Sequence, residues 1–172
     1  MNAPTSPPSA LTPWPDTVDW RPVSPRLIWV ELLQVLVSAG PVVLVCLVGF
    51  LLLDPPWSVL IGIVGGFALV SAVVRALWIP RIVRSWGYAE RERDLLVRHG
   101  RLVRRLSIVP YARMQFVDVT AGPVERAFRL ATVQLHTAAA ASDAIVPGLE
   151  PAEASRLRDR LTALGEDRAE GL

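Results

Sequence analysis

Residues 32–53, LLQVLVSAGPVVLVCLVGFLLL, and residues 57–74, WSVLIGIVGGFALVSAVV, carry no charged side chain. The first run has 22 residues and the second 18, the latter continuing through the lone Arg75 into Ala76-Leu77-Trp78-Ile79 before Pro80. At ~1.5 Å per residue the first makes a helix ~33 Å long, enough to cross a hydrocarbon core of ~30 Å. Only Asp54-Pro55-Pro56 separates the runs, so a tight transmembrane hairpin is predicted over 27–80, with spans at about 30–53 and 57–79, Pro80 stopping the second. Composition agrees: 52% of the 172 residues are hydrophobic and 20% charged, against about 25% charged in soluble domains. The rest of the chain is too short to cover two helices that are apolar all round, which disfavours buried core helices. The length also excludes a large multidomain enzyme.

Val37-Ser38-Ala39 resembles a signal-peptidase site, but the apolar run continues for 14 residues to Leu53, so an uncleaved span is expected. Arg21 and Arg26 precede the first span, Arg75, Arg81 and Arg84 flank the end of the second, and the connection has no basic residue. The positive-inside rule then puts both termini in the cytoplasm and the protein in the inner membrane. Trp29 and Trp78 fall at the inner interface and Trp57 at the outer one. Glu31 sits at head-group level, either as a partner for an arginine or ion or as a solvated helix-end residue. Gly62 and Gly66 have G-x-x-x-G spacing opposite Ser38, Ala39, Gly40 and Gly49, which suits close helix packing within the hairpin or between chains. Pro41 is expected to kink or loosen the first span, and Cys46 to pack as an apolar residue. The single cysteine forms no intramolecular disulfide.

Residues 1–25 hold seven of the 15 prolines and are expected to be a disordered or extended tail, with Trp14 and Trp20 on the membrane surface or simply exposed. From Ser85 the pattern becomes one of short strands: Trp86–Glu92, Asp94–His99, Arg101–Val109 after a turn at Gly100, Met114–Thr120, Ala131–Thr137 and Ala144–Val146. In the third, Leu102, Arg104, Leu106 and Ile108 share the apolar face. In the fifth, Val133 and Leu135 point inward and Thr132, Gln134 and His136 outward. Pro151 opens an amphipathic helix through Ala154, Leu157, Leu161 and Leu164 that is expected to end at Gly165, leaving a tail at 166–172. A meander closed by one helix over residues 85–165 is the plan of small barrels of the pleckstrin-homology (PH) type. The expected fold is therefore a two-helix transmembrane hairpin followed by a small PH-like antiparallel β-barrel or sheet with a C-terminal α-helix.

Several segments, in this order behind a two-span hairpin, make the chain resemble the YdbS-like bacterial membrane proteins. They are Gly100-Arg101-Leu102-Val103-Arg104-Arg105, Val109-Pro110-Tyr111-Ala112-Arg113-Met114-Gln115-Phe116-Val117-Asp118-Val119, Gly122-Pro123-Val124-Glu125-Arg126, Leu130-Ala131-Thr132-Val133 and Thr137-Ala138. The likeness spans about residues 27–165 and implies two N-terminal transmembrane helices and a bacterial PH-like domain, with no reaction and no cofactor. The chain departs from that pattern at Met114, at Arg129, where the group tends to have glycine, and at Ala139-Ala140-Ala141, which bears on a turn.

All 18 basic residues are arginine. Residues 75–131 carry twelve of them against five acids, while the flanking segments are net acidic. Arg75, Arg81 and Arg84, with Arg101, Arg104 and Arg105 if their turn faces the bilayer, are candidate contacts for anionic lipid or a partner; the alternatives are topology determination and a solvated strand face. Arg98 belongs with the second group. Arg113, Gln115, Asp118 and Arg126 form either a binding surface or an internal salt-bridge and turn network. Nucleic acid is not an expected partner, because the basic stretch lacks interleaved aromatics and adjoins a membrane. His99 and His136 lack the context of a nucleophile, and no metal, nucleotide or phosphate-loop motif is present, so no enzyme and no metal site are expected. The expected function is a membrane-anchored, non-enzymatic binding or assembly module contacting lipid, another membrane protein, a PH-like paralogue or a second copy. The alternative is an accessory subunit of an export or bacteriocin-protection complex acting through its hairpin.

Overall fold

The computed structural model describes residues 18–100, 103–137 and 143–169. Two long helices, α1 (Leu27–Leu52) and α2 (Trp57–Val83), form the hairpin. Both are apolar throughout, so neither presents one stripe to a core; Leu52 and Phe67 expose 79% and 76% of their surface. α1 continues across Pro41. α2 continues across Pro80 for another turn, beyond the end predicted for it. That turn is sustained by hydrogen bonds from Arg84 N–H to the Pro80 carbonyl and from the Arg81 guanidinium to the Leu77 carbonyl.

Within the hairpin the close approach differs from the G-x-x-x-G expectation. A Cβ on Gly65 would lie 2.7 Å from Cβ of Cys46, and one on Gly62 would lie 2.9 Å from the Phe50 ring, whereas Gly66 faces open space. The tight pair is thus Gly62 and Gly65, three apart, and Cys46 packs where the backbones come closest.

Among the described residues, seven strands follow two antiparallel orders. One sheet runs β1 (Arg21–Pro22), β2 (Gly87–Glu90), β3 (Asp94–His99), β4 (Arg105–Pro110); the other runs β5 (Met114–Thr120), β6 (Ala131–Thr137), β7 (Ala144–Leu149). β1 belongs to the segment expected to be a loose tail, yet it lies ahead of the hairpin and pairs with the first strand after it, Arg21 opposite Tyr88 and Pro22 opposite Gly87. The single meander expected from the sequence is broken at Pro110, where a 3-10 turn (Tyr111–Arg113) buries Tyr111 and starts the second sheet. Tyr111 is held there by its hydroxyl, which donates to the Arg91 carbonyl.

β3, β5 and β6 coincide with the expected strands; β2 is shorter and β7 longer. Among the described residues β4 starts at Arg105, Arg101 and Leu102 of the expected strand lying outside them, and its apolar faces exchange roles: Val109, opposite Leu95, is buried, while Ile108 is half exposed. Both faces of this segment carry apolar residues, so alternation alone does not choose between them. Thr132, expected outward, is buried and donates to Glu125.

A short helix, α3 (Pro123–Ala127), was not anticipated. Pro123 suits its first turn, and the Glu125 carboxylate reaches back to the Gly122 N–H at 2.7 Å. It ends with Leu130 N–H bonded to the Glu125 carbonyl and Arg129 in the left-handed region (φ 55°), the geometry usually given to glycine. The last helix, α4 (Pro151–Ala169), runs past Gly165, the end predicted for it, and packs Ala154, Leu157 and Leu161 against the sheets with no exposure.

One apolar core joins the two halves. Val23, Leu27, Val30 and Val35 before and within α1, and Ile79 and Val83 of α2, belong to the same buried cluster as Leu95, Val133, Leu135 and Leu157. The domain is therefore packed onto the end of the hairpin.

Candidate functional site

Three groups of polar residues stand out in this frame. The first ties the N-terminal strand to the last helix. Glu90 of β2, its side chain only 8% exposed, pairs with Arg156 (2.7 Å) and Arg160 (3.1 Å) of α4. Glu153 accepts from Arg156 at 2.8 Å and from Arg21 of β1 at 3.1 Å, and the Tyr88 hydroxyl donates to the same carboxylate. The Arg156 bonds, helped by those from Tyr88 and Arg21, hold the Glu153 carboxyl down at about 2. Burial, then the neighbouring carboxylate, pushes the Tyr88 phenol up to about 12. Arg21 stands out in the sequence only as a flank of the first span, and the grouping itself is invisible there because its members lie up to 132 positions apart. The only signal is that Glu153 and Arg156 are three apart on one helix.

The second group lies at the membrane-proximal end. Gly100 N–H donates to the Ser85 hydroxyl at 3.2 Å, and His99 stacks on Trp86 with centroids 4.7 Å apart. Ser85 and Trp86 directly follow α2, so the β3–β4 turn sits at the helix end. Exposed Arg104, Arg105 and Val103 are thereby carried beside exposed Arg84. Burial, then Arg105, lowers the His99 imidazole below its usual range. Arg101 lies outside the described residues. Arg98 stacks over the Trp20 ring at 4.5 Å. Arg75 and Glu31 line a cleft between α1, α2 and Pro147 of β7. Ser24 N–H to the Gly148 carbonyl (2.9 Å) and Arg26 to Glu150 (3.7 Å) close the junction from the other side.

The third group is on β5 and β6. Of the two alternatives for Arg113, Gln115, Asp118 and Arg126, a binding surface or an internal network, the network does not form among the described residues. Arg113, Gln115 and Arg126 are exposed and, among the described residues, make no side-chain hydrogen bond or ion pair. A register irregularity between Met114 and Phe116 interrupts the strand at Gln115, and the adjoining turn is organised by Glu125 and Thr132 instead. Asp118 lies 4.0 Å from His136, whose other ring nitrogen is 3.2 Å from Asp143, while Phe116 stacks on the imidazole. Asp143 also accepts from the Thr137 N–H at 2.8 Å. That bond, ahead of the contact with His136, holds its carboxyl below the usual range. Asp143 thus joins the start of β7 to the end of β6, which gives this cluster a structural task.

Two apolar helices bearing a docked two-sheet domain define a membrane-anchored protein of the PH-like class. The family described as Bacterial PH domain matches residues 32–164, and the chain belongs to it. It is 33% identical over 139 residues to the UPF0699 transmembrane protein YdbS of Bacillus subtilis (strain 168), the match covering 80% of this chain and 86% of that protein. No solved structure matches. The chain is a membrane protein with two transmembrane helices and a bacterial PH domain, as its likeness to the YdbS-like proteins implied.

Proposed function

We propose that this protein is a non-enzymatic binding or assembly module that presents its PH domain at the cytoplasmic face of the inner membrane. The observation that carries the reading is the pairing of β1, ahead of the hairpin, with β2, after it. With two spans between them, this keeps the start of α1, the end of α2 and the domain on one side of the bilayer. The domain end of the hairpin carries Arg26, Arg75, Arg81 and Arg84 while the connecting turn has only Asp54 as a charge, a bias that supports the cytoplasm as that side.

The domain's work is contact. Arg81, Arg84, Arg104 and Arg105, joined in sequence by Arg101, face anionic lipid, each worth ~1 kcal/mol when close to the surface. The exposed residues Arg113, Gln115, Asp118 and Arg126 are left for a membrane-protein partner, a PH-like paralogue or a second copy. Residue-specific cross-linking from positions 113 and 126 in native membranes, read by mass spectrometry, tests this: recurrent links to one membrane protein or to the chain itself are expected. Repeated return of unlinked chain sinks the contact role. A C-terminal tag reachable from outside sealed cells sinks the orientation. The second reading, an accessory subunit acting through its spans, draws on Gly66, a small residue facing no neighbour, which suits an incoming helix. Links running only from the hairpin favour it.

A further inference from the structure

The cleft at the junction of hairpin and domain has a volume of about 550 Å³, inside the ~300–1,000 Å³ range of small-molecule sites. Its walls are apolar, from Leu27, Ile79, Ile82 and Val83, with Trp78 and Trp86 alongside and Pro147 of β7 contributed by the domain. Two charges line it, Glu31 from α1 and Arg75 from α2.

Their depth follows from helix rise. Counting ~1.5 Å per residue from Leu53 and Trp57, Glu31 lies ~33 Å and Arg75 ~27 Å along its helix, bracketing the edge of a ~30 Å hydrocarbon core. The arginine side chain is long enough to bring its guanidinium up to the level of the carboxylate. Among the described residues, neither group makes a hydrogen bond or an ion pair, with the other or with a third residue. Neighbouring arginines differ, Arg26 pairing with Glu150 and Arg81 with a carbonyl. Opposite charges that share a cleft at the water–lipid boundary without meeting leave room for a ligand that carries both complements. A phosphate answers Arg75, an ammonium answers Glu31, and the apolar walls continue into the acyl region.

We infer that this cleft binds one phospholipid with a phosphoethanolamine-type head group, its phosphate on Arg75 and its ammonium on Glu31. The inference rests on the reading that the domain end of the hairpin lies at a membrane surface. A phosphatidylglycerol in the same place satisfies Arg75 but brings Glu31 no cation, so the acid is the selecting residue.

The test uses the full chain, delipidated in non-ionic detergent and titrated with dioleoyl-phosphatidylethanolamine or dioleoyl-phosphatidylglycerol, bound lipid being counted by native mass spectrometry. One ethanolamine lipid per chain is expected, preferred about fivefold, the worth of one charge at a membrane surface. Glu31→Gln removes the preference, Arg75→Gln weakens retention of both lipids, and Arg158→Gln, on the exposed side of α4, changes neither. Circular dichroism of each variant checks that it is folded. Equal or stronger retention of the glycerol lipid, or a preference that survives Glu31→Gln, overturns the site. Free phosphoethanolamine competing on equal terms with the lipid overturns its assignment to a lipid. Because binding is read in detergent, it does not depend on which side of a vesicle the domain occupies. Loss of the lipid preference and loss of the cytoplasmic orientation are therefore separate results.

Discussion

The hairpin and the domain are built from the same apolar residue types and treat them in opposite ways. Leucines and valines of the spans stand largely uncovered, with Leu52 at 79% exposure, whereas Leu95, Val133, Leu135 and Leu157 of the domain are at 0%. A soluble fold would have to hide the first set, and no segment among the described residues does so. The spans use lipid as their environment, and their mutual contact rests on small residues that let the backbones touch. The domain excludes water and depends on filled volume.

The sharpest way to break this contrast is to remove the same atoms from each region. Leu157→Ala leaves a cavity between α4 and the sheets and is expected to cost ~2–5 kcal/mol, while Leu52→Ala stays within ~0.5 kcal/mol. Denaturation in detergent followed by tryptophan fluorescence measures both, and equal losses would erase the distinction. Within the hairpin, Gly65→Ala forces a methyl into Cys46 and is expected to cost ~1–3 kcal/mol, while Gly66→Ala is tolerated. Maleimide labelling of Cys46 should quicken in the first variant only; matching rates would mean that the helices do not meet at Gly65.

Acid probes the polar side of the domain. Glu153 titrates at about 2 when folded against an ordinary value of 4.5, so the unfolded chain binds the proton more readily. Its contribution to stability is complete above about 4.5 and is lost as pH falls toward about 2. In Glu153→Gln the melting temperature should vary less with pH across that window; an unchanged slope would assign the acid sensitivity elsewhere. The smallest effect is a gain. Arg129→Gly relieves a left-handed backbone and should raise stability by up to ~1 kcal/mol in thermal melts, whereas a loss would mean that the arginine side chain contributes more than its conformation costs.

The hairpin was legible because its signal is local: uncharged length and a proline-rich break. Strands β3, β5 and β6 and helix α4 were legible from period and punctuation, with the helix end misplaced because Gly165 is tolerated inside it. What sequence reading missed depends on distant partners. Arg21 and Pro22 have no strand character of their own and become β1 only because Gly87–Glu90 offers an unpaired edge. The internal-network alternative for Arg113, Gln115, Asp118 and Arg126 is not seen among the described residues, where a strand irregularity at Gln115 and the α3 turn direct the bonding to Glu125 and Thr132 and the binding-surface alternative stays open. Arg129, where the YdbS-like group tends to have glycine, occupies the one described non-glycine position with positive φ; Ala139-Ala140-Ala141, the departure that bore on a turn, lies outside the described residues.

The placement of β1 also bears on biogenesis. Its partner strand is synthesised only after both spans, so the first sheet stays incomplete until the chain has entered the bilayer and come back out. A polypeptide that inserted a single span would strand Arg21 and Pro22 across the membrane from Gly87, leaving Glu153 without its arginine from the leading segment. Completion of the sheet thus reports correct threading, and premature domains are distinguished from mature ones by an open β2 edge.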